Sequence, residues 1–338
     1  MKYTLIIFVF IILHSTIACV HLRSNSQNIR KTHDILEELA KVTNLEKFVP
    51  NLKNALTQKG FLNQLRSSFK TNNTPLKCTK SKKEVSKLIP LQKEIGLSDS
   101  LKFVFKNDVP YTNYFSTEPI WIGAPVITLN GNQIIDGHHR WSQLYLVNPD
   151  AIIQTIDCIS SSASVTVLKQ FHASIAALEG NVPSSKVGEK DIYEIKENEI
   201  KDYLTTIVPL ETENIAITDD DVKEKEKAKT RMTSNAKLTY FIYGLKKKLN
   251  GKNKGFNDLE GKTDRDKVIT YLYNAVKNFP QKKPRDLQSP AREFMPQTDK
   301  ISDENKNGKF AAETISQNNP LRPINVATAL LSEHGIEI

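Results

Sequence analysis

Apolar residues recur along this chain in two rhythms. From about residue 28 to 70 the period is helical: Ile35, Leu36, Leu39 and Val42 form one stripe, and Leu52, Leu56, Phe61, Leu62 and Leu65 form another. Asn44 and Pro50 interrupt the run, so the segment reads as an αα-hairpin. Lys77 to Lys83 follows as a basic connector without pattern. Between about 84 and 180, strand and helix signals alternate. Val85 to Ile89 is a short strand ended by Pro90, and two apolar runs, 124–129 and 133–135, flank Asn130-Gly131-Asn132, a hairpin turn whose residues tolerate positive φ. Asp136-Gly137 then opens a helix carrying Trp141, Leu144, Tyr145 and Val147 and stopped at Asn148-Pro149. Ile152 to Cys158 is a further strand, and Val165, Leu168, Phe171, Ile175 and Leu178 form the stripe of an amphipathic helix. The expected fold class is α+β: a small mixed sheet with helices, flanked by helical extensions.

Beyond Glu189 helices are expected over Asn235–Leu249 and Asp264–Phe279. Pro280 to Pro296 reads as a Pro- and Lys/Arg-rich loop or linker, and Thr298 to Asn319 as a polar, mobile segment. Composition is that of a folded protein: 338 residues, 39% apolar and 25% charged, enough for about two domains. The expected organisation is a leader over 1–19, a helical extension over 20–75, a sheet domain over 76–182 and a charged, partly helical region over 183–338.

The start of the chain has the layout of a secretory signal. Met1-Lys2 is positive, Leu5 to Leu13 is apolar, and Thr16 and Ala18 are small enough for cleavage after Ala18. The apolar run is too short to span a membrane comfortably, and no other segment is a candidate, so no integral span is expected once the leader is removed. Thr16-Ile17-Ala18-Cys19 also resembles a bacterial lipoprotein box, in which case Cys19 would be lipidated. Either way Cys78 and Cys158 remain, as one disulfide in an oxidising compartment or as two buried thiols. Asn72-Asn73-Thr74 is a glycosylation sequon in a eukaryotic host.

Net charge is +9, unevenly spread. Glu189 to Asp221 holds eleven acids against three lysines, whereas Lys223 to Arg292 holds nineteen Lys/Arg against seven acids. The basic third is either a solvated face or a nucleic-acid contact, with Lys246-Lys247-Lys248 and Lys282-Lys283-Pro284-Arg285 as its densest clusters.

Candidate chemistry concentrates in Asp136-Gly137-His138-His139-Arg140-Trp141. This hexapeptide follows a strand and opens a helix, where unpaired N–H groups and the macrodipole favour an anion. His138, His139 and Arg140 add donors, and Gly137 removes the Cβ that would keep an anion from the backbone. Asp136 would cap the helix, hold a histidine tautomer or bind a magnesium ion carried by a nucleotide. Zinc fits less well, because adjacent helical histidines diverge by about 100° and no second ligand pair has the spacing. The plain alternative is a capping Asp136, a buried histidine and a surface Arg140.

Ile134 to Trp141 resembles the signature of the ParB/sulfiredoxin superfamily in its D-G-H-H-R-W form. Val85 to Gln92 is similar to that family's first strand and P-x-Q turn, and Pro125-Val126-Ile127 to the strand before the signature. The resemblance covers about residues 84 to 180. It implies a compact α+β nucleotide-binding fold whose signature turn grips phosphates through Gly137, His138, His139 and Arg140. Sulfiredoxins act through a cysteine in that turn, where this chain has His138, so their activity is not expected. Partitioning ParB proteins add a helix-turn-helix domain that is not evident here. Free-serine kinases of the superfamily are the nearest enzymes by motif, which implies ATP or ADP with Mg²⁺ as cofactor and Asp136, His138 and His139 in catalysis. Glu94 is the available base, with Glu118 a second candidate. The expected function is thus an exported nucleotide- or phosphate-binding protein, with phosphotransfer to a small hydroxyl compound as the reaction the resemblance implies. A nucleic-acid-binding protein or nuclease using basic residues 223–292, and a non-catalytic secreted interaction module, are the alternatives.

Overall fold

A computed structural model describes residues 31, 34–68, 77–101, 104–105, 114–115, 117–120, 122, 125–183, 190–218, 220–221, 232–250, 255–279 and 290–298. The segment expected to be a leader, Cys19, the expected sequon at 72–74, the basic cluster 282–285 and everything after Thr298 lie outside those residues. The fold is α+β. In chain order the elements are α1 (34–41), α2 (Leu45–Leu56), α3 (Phe61–Ser68), β1 (Lys77–Glu84), β2 (Ile89–Pro90), α4 (Leu97–Leu101), β3 (Val126–Leu129), β4 (Gln133–Asp136), α5 (His138–Val147), β5 (Ile152–Ile159), α6 (Ser164–Glu179), α7 (Glu197–Ile207), α8 (Ser234–Asn250) and α9 (Asp264–Lys277). Among the described residues no helix is long and apolar enough to cross a membrane.

The chain divides into two compact units that are not contiguous in sequence. The first joins α1, α2 and α3 to α6; the second joins the sheet to residues 184–298. The division therefore differs from boundaries drawn along the sequence: α6 belongs with the N-terminal helices, and the charged C-terminal region belongs with the sheet.

In the first unit Asn44 starts a helix, its side chain accepting from the Lys47 N–H at 2.9 Å as the cap of α2. Pro50 lies inside α2 without breaking it. Its exposed position leaves the orphaned Glu46 carbonyl on the solvent face, where water can satisfy it. Helix α6 is buried over twelve consecutive residues, Val167 to Leu178, rather than along a single stripe. Lys169, buried among them, donates to the Ala40 and Val42 carbonyls at 2.8 and 2.7 Å, closing the C-terminal end of α1. Burial lowers its pKa.

In the second unit the sheet order is β1-β5-β3-β4-β2, with β1/β5 and β3/β4 antiparallel and β5/β3 and β4/β2 parallel. Two sequence expectations fail here. Lys77–Glu84 is a strand, not a connector, and Val85–Lys87 is a 3₁₀ turn, so the paired part of the expected first strand shrinks to Ile89–Pro90. Strand β1 lacks an apolar alternation because it is an edge strand: backbone pairing with β5 forms it, and lysines on an exposed edge discourage pairing with other chains. The hairpin is as expected, with Asn130 and Gly131 at φ +51° and +88°. Cys78 and Cys158, directly opposed in the β1/β5 register, are bonded as a disulfide.

Trp141, on α5, is fully buried at the centre of the second unit. Its indole N–H donates to the Val85 carbonyl at 3.0 Å, and its ring meets Phe279, just past α9. Phe241 of α8 packs against Phe105 and Phe115, and the Tyr271 hydroxyl of α9 donates to the Val147 carbonyl at the end of α5. Burial pushes the Tyr271 phenol well above its ordinary pKa. The C-terminal third is thus part of the core that carries α5. Its start signals are local: α9 opens with a capping box in which Thr263 and Asp266 exchange side-chain-to-backbone bonds.

The disulfide joins residues 80 positions apart. A cross-link of that span removes about 4–5 kcal/mol of unfolded-chain entropy. Replacing Cys78 and Cys158 together by alanine should lower denaturant-derived stability by up to that amount, read from urea unfolding of oxidised protein. An unchanged midpoint would show that the bond contributes nothing to the fold.

Candidate functional site

Strand β4 lies between β3 and β2 and ends at Asp136, so the D-G-H-H-R turn emerges from the interior of the sheet. Asp136 Oδ1 accepts the Gly137 N–H at 2.7 Å. Gly137 is left-handed (φ +88°), which reverses the chain into α5. A Cβ at this position would lie 2.9 Å from Arg140 Nη2 and 3.1 Å from Val126 Cγ2. The space that the missing side chain leaves is filled by the Arg140 guanidinium, folded back over the first turn of its own helix. The expectation that Gly137 clears the backbone for an anion is corrected in this respect: it clears it for the cation.

His138 departs furthest from expectation. Its imidazole is 4% exposed and turned inward. Nε2 accepts the Gln92 N–H at 3.2 Å, while the ring hydrogen-bonds the Ile134 backbone, so both nitrogens are engaged and the neutral Nδ1–H tautomer is the one held. Burial drives its pKa from 6.5 down to about 3, and the neighbouring His139, Arg140 and Arg292 push the same way. A histidine so placed can neither donate to a ligand nor exchange a proton near neutrality. The catalytic and anion-binding roles expected of His138 are replaced by a bracing one.

His139 faces the other way and is partly exposed, its Nε2 3.8 Å from Asp99 Oδ2. Asp99, on α4, also takes Arg292 Nη2 at 2.6 Å. Behind this cluster Ser100 and Ser142 share a buried hydrogen bond of 2.7 Å, and the Ser142 hydroxyl donates to the His139 carbonyl at 3.2 Å. Those bonds hold α4 against α5 and set the Asp99 and His139 positions. The acid that the fold brings to His139 is therefore Asp99. Glu94 is exposed on the turn after β2, where its backbone carbonyl accepts from the Gln92 side chain, and Glu118 is exposed on a bend before Ile120.

Sequence reasoning also missed Pro290–Thr298, which packs on this turn instead of linking past it. The Lys93 N–H donates to the Pro290 carbonyl at 2.9 Å, Arg292 reaches Asp99, Met295 is buried, and the Thr298 hydroxyl donates to Asp136 Oδ2. Proline and charge made the segment look like a linker, and its one cue is the apolar pair Phe294-Met295 amid polar residues.

The resulting site sets Arg140, Arg292 and His139 about the N-terminus of α5, with Asp99 and Asp136 between them. Both Asp136 oxygens already accept hydrogen bonds, and among the described residues no group of three or more His, Cys, Asp or Glu could hold a metal ion. The residues do not fit a magnesium ion bound by protein ligands alone. Elsewhere in the basic third, Lys246 pairs with Asp264, Lys248 with Asp150, Lys277 with Glu197, and Arg265 binds the Thr205, Val208 and Pro209 carbonyls. Much of the described charge in 223–292 is engaged within the fold. The sequence matches no protein-family model, and neither the curated proteins nor the solved structures contain a significant match.

The His138 geometry has a pH consequence. Below pH 6.5 the unfolded imidazole takes up a proton, whereas the folded one stays neutral until about pH 3. The stability it contributes is full above pH 6.5 and falls by about 1.4 kcal/mol per pH unit as pH drops through that window. Unfolding free energies at pH 7, 6 and 5 should therefore decline more steeply for the native protein than for His138→Gln. Parallel slopes would refute the buried neutral imidazole.

Proposed function

We propose that this is an exported protein of ParB/sulfiredoxin-like fold that binds a phosphate or nucleotide at the signature turn. The ligand's oxyanion sits over the N-terminus of α5 between Arg140, Arg292 and His139. One observation carries the reading: two guanidiniums from segments some 150 residues apart reach the turn, Arg140 Nη2 lying 2.9 Å from where a Gly137 Cβ would stand and Arg292 Nη2 2.6 Å from Asp99 Oδ2, the carboxylate 3.8 Å from His139 Nε2. Such convergence of cations at a helix N-terminus is the arrangement that phosphate recognition uses.

Phosphoryl transfer to a hydroxyl compound is the reaction these groups can support. Arginines neutralise the transferring group, and Asp136 accepts the hydroxyl proton. The nucleotide is ATP or ADP, with Mg²⁺ arriving on its phosphates. Export is supported by the Cys78–Cys158 disulfide, a bond that persists in oxidising compartments. Internal pairing of the basic third favours this reading over a nucleic-acid one.

Thermal unfolding with ATP, ADP, CTP, inorganic phosphate and oligonucleotides, each with and without Mg²⁺, tests the proposal. A phosphate-bearing small ligand should stabilise the protein. Arg140→Ala and Arg292→Ala should each weaken binding about ten- to hundredfold, the worth of one charge-assisted hydrogen bond of about 1.5–3 kcal/mol. Stabilisation unaffected by either change would remove the site. Binding without turnover would leave a non-catalytic module, and oligonucleotides alone stabilising the protein would favour the nucleic-acid reading.

A further inference from the structure

Asp136 is the acid of the signature turn, and its two oxygens are used differently. Oδ1 is oriented by the Gly137 N–H, while Oδ2 receives the hydroxyl of Thr298, delivered from 162 residues away. Three further features hold that hydroxyl in register: the Lys93–Pro290 backbone bond, the Arg292–Asp99 pair and the burial of Met295. Thr298 itself is fully buried. A hydroxyl donating to a carboxylate beside a cluster of cations is what an acceptor alcohol presents to a general base before phosphoryl transfer.

From this juxtaposition we propose that Pro290–Thr298 occupies the acceptor side of the site and that Thr298 is a self-phosphorylation site. The inference rests on the phosphate-binding reading above and narrows its acceptor class to a Ser/Thr hydroxyl carried on peptide, the chain itself being the first such acceptor. The phosphoryl donor is a nucleoside triphosphate. Thr298 Oγ1 attacks the γ-phosphorus, and the new bond is Oγ1–P. The bond from that phosphorus to the β–γ bridging oxygen breaks, its electron pair leaving with the nucleoside diphosphate. The hydroxyl proton passes to Asp136 Oδ2. Arg140 and Arg292 neutralise the transferring group. Once phosphorylated, Thr298 sets a dianion against the Asp136 carboxylate, and like-charge repulsion drives the segment off the turn and opens it to other acceptors.

Full-length protein incubated with ATP and Mg²⁺, followed by peptide mass mapping, tests this. The expected result is one added phosphoryl group on Thr298, retained on the serine of Thr298→Ser and lost in Thr298→Val and in Asp136→Asn. Circular dichroism of each variant establishes that it is folded, and Thr298→Ser preserves the test should the valine variant misfold. If ATP raises the unfolding temperature in an Arg140-dependent manner but Thr298 stays unmodified, or the phosphate maps elsewhere, the inference is overturned while the binding reading stands. If ATP produces no stabilisation, both fall together.

Discussion

The His138 imidazole, neutral and engaged on both nitrogens, ties the turn after β2 to strand β4 and to the first residue of α5. The rest of the site depends on that tie. With Gln92 held by His138, the following Lys93 is in place to receive Pro290, and α4 begins four residues further on with Asp99 in its first turn. With Ile134 held, Asp136 and Gly137 are positioned to reverse the chain. The local dielectric is low, so the tie is strong only while the ring carries no charge, and the surrounding cations enforce that state.

Around this neutral centre the charges alternate. Arg140 lies over Gly137, Asp99 lies between His139 and Arg292, and Asp136 is shared by Gly137 and Thr298. An incoming oxyanion would compete with Asp99 for Arg292. Pro290–Thr298 contributes both a cation and a hydroxyl to the turn, so this short piece of chain belongs to the site as fully as α5 does.

Those parts of the fold with strong periodicity were legible in the sequence. The Asn130-Gly131 hairpin, the start of α5 at Gly137, its stop at Asn148, and helices α8 and α9 all follow from pattern and punctuation. Strand β1 was hidden because an edge strand with four lysines carries no apolar alternation; its evidence is its partner, β5. Pro50 was over-read, since a proline on a solvent-facing position can be tolerated within a packed helix. At the site, the sequence revealed which residues lie on the turn but not which way they face. His138 and His139 are adjacent and identical in type, and only the packing of Gln92 and Ile134 against one and of Asp99 against the other separates the brace from the partly exposed neighbour of Asp99. Asp99 and Arg292 stand 193 residues apart, a distance across which no local pattern reaches.

The interleaving of the two units bears on how the chain reaches its native state during synthesis. Helices α1 to α3 emerge before the sheet, yet the helix that covers them, α6, begins at Ser164, roughly a hundred residues after α3. At about 5–20 residues per second, that separation leaves their apolar faces without the native partner for about 5–20 s. The carbonyls of Ala40 and Val42 wait longer still for the Lys169 ammonium, 129 and 127 residues further along the chain. A nascent chain of this design completes its helical unit only after the sheet strands have been made, so helices made before the sheet are locked after it.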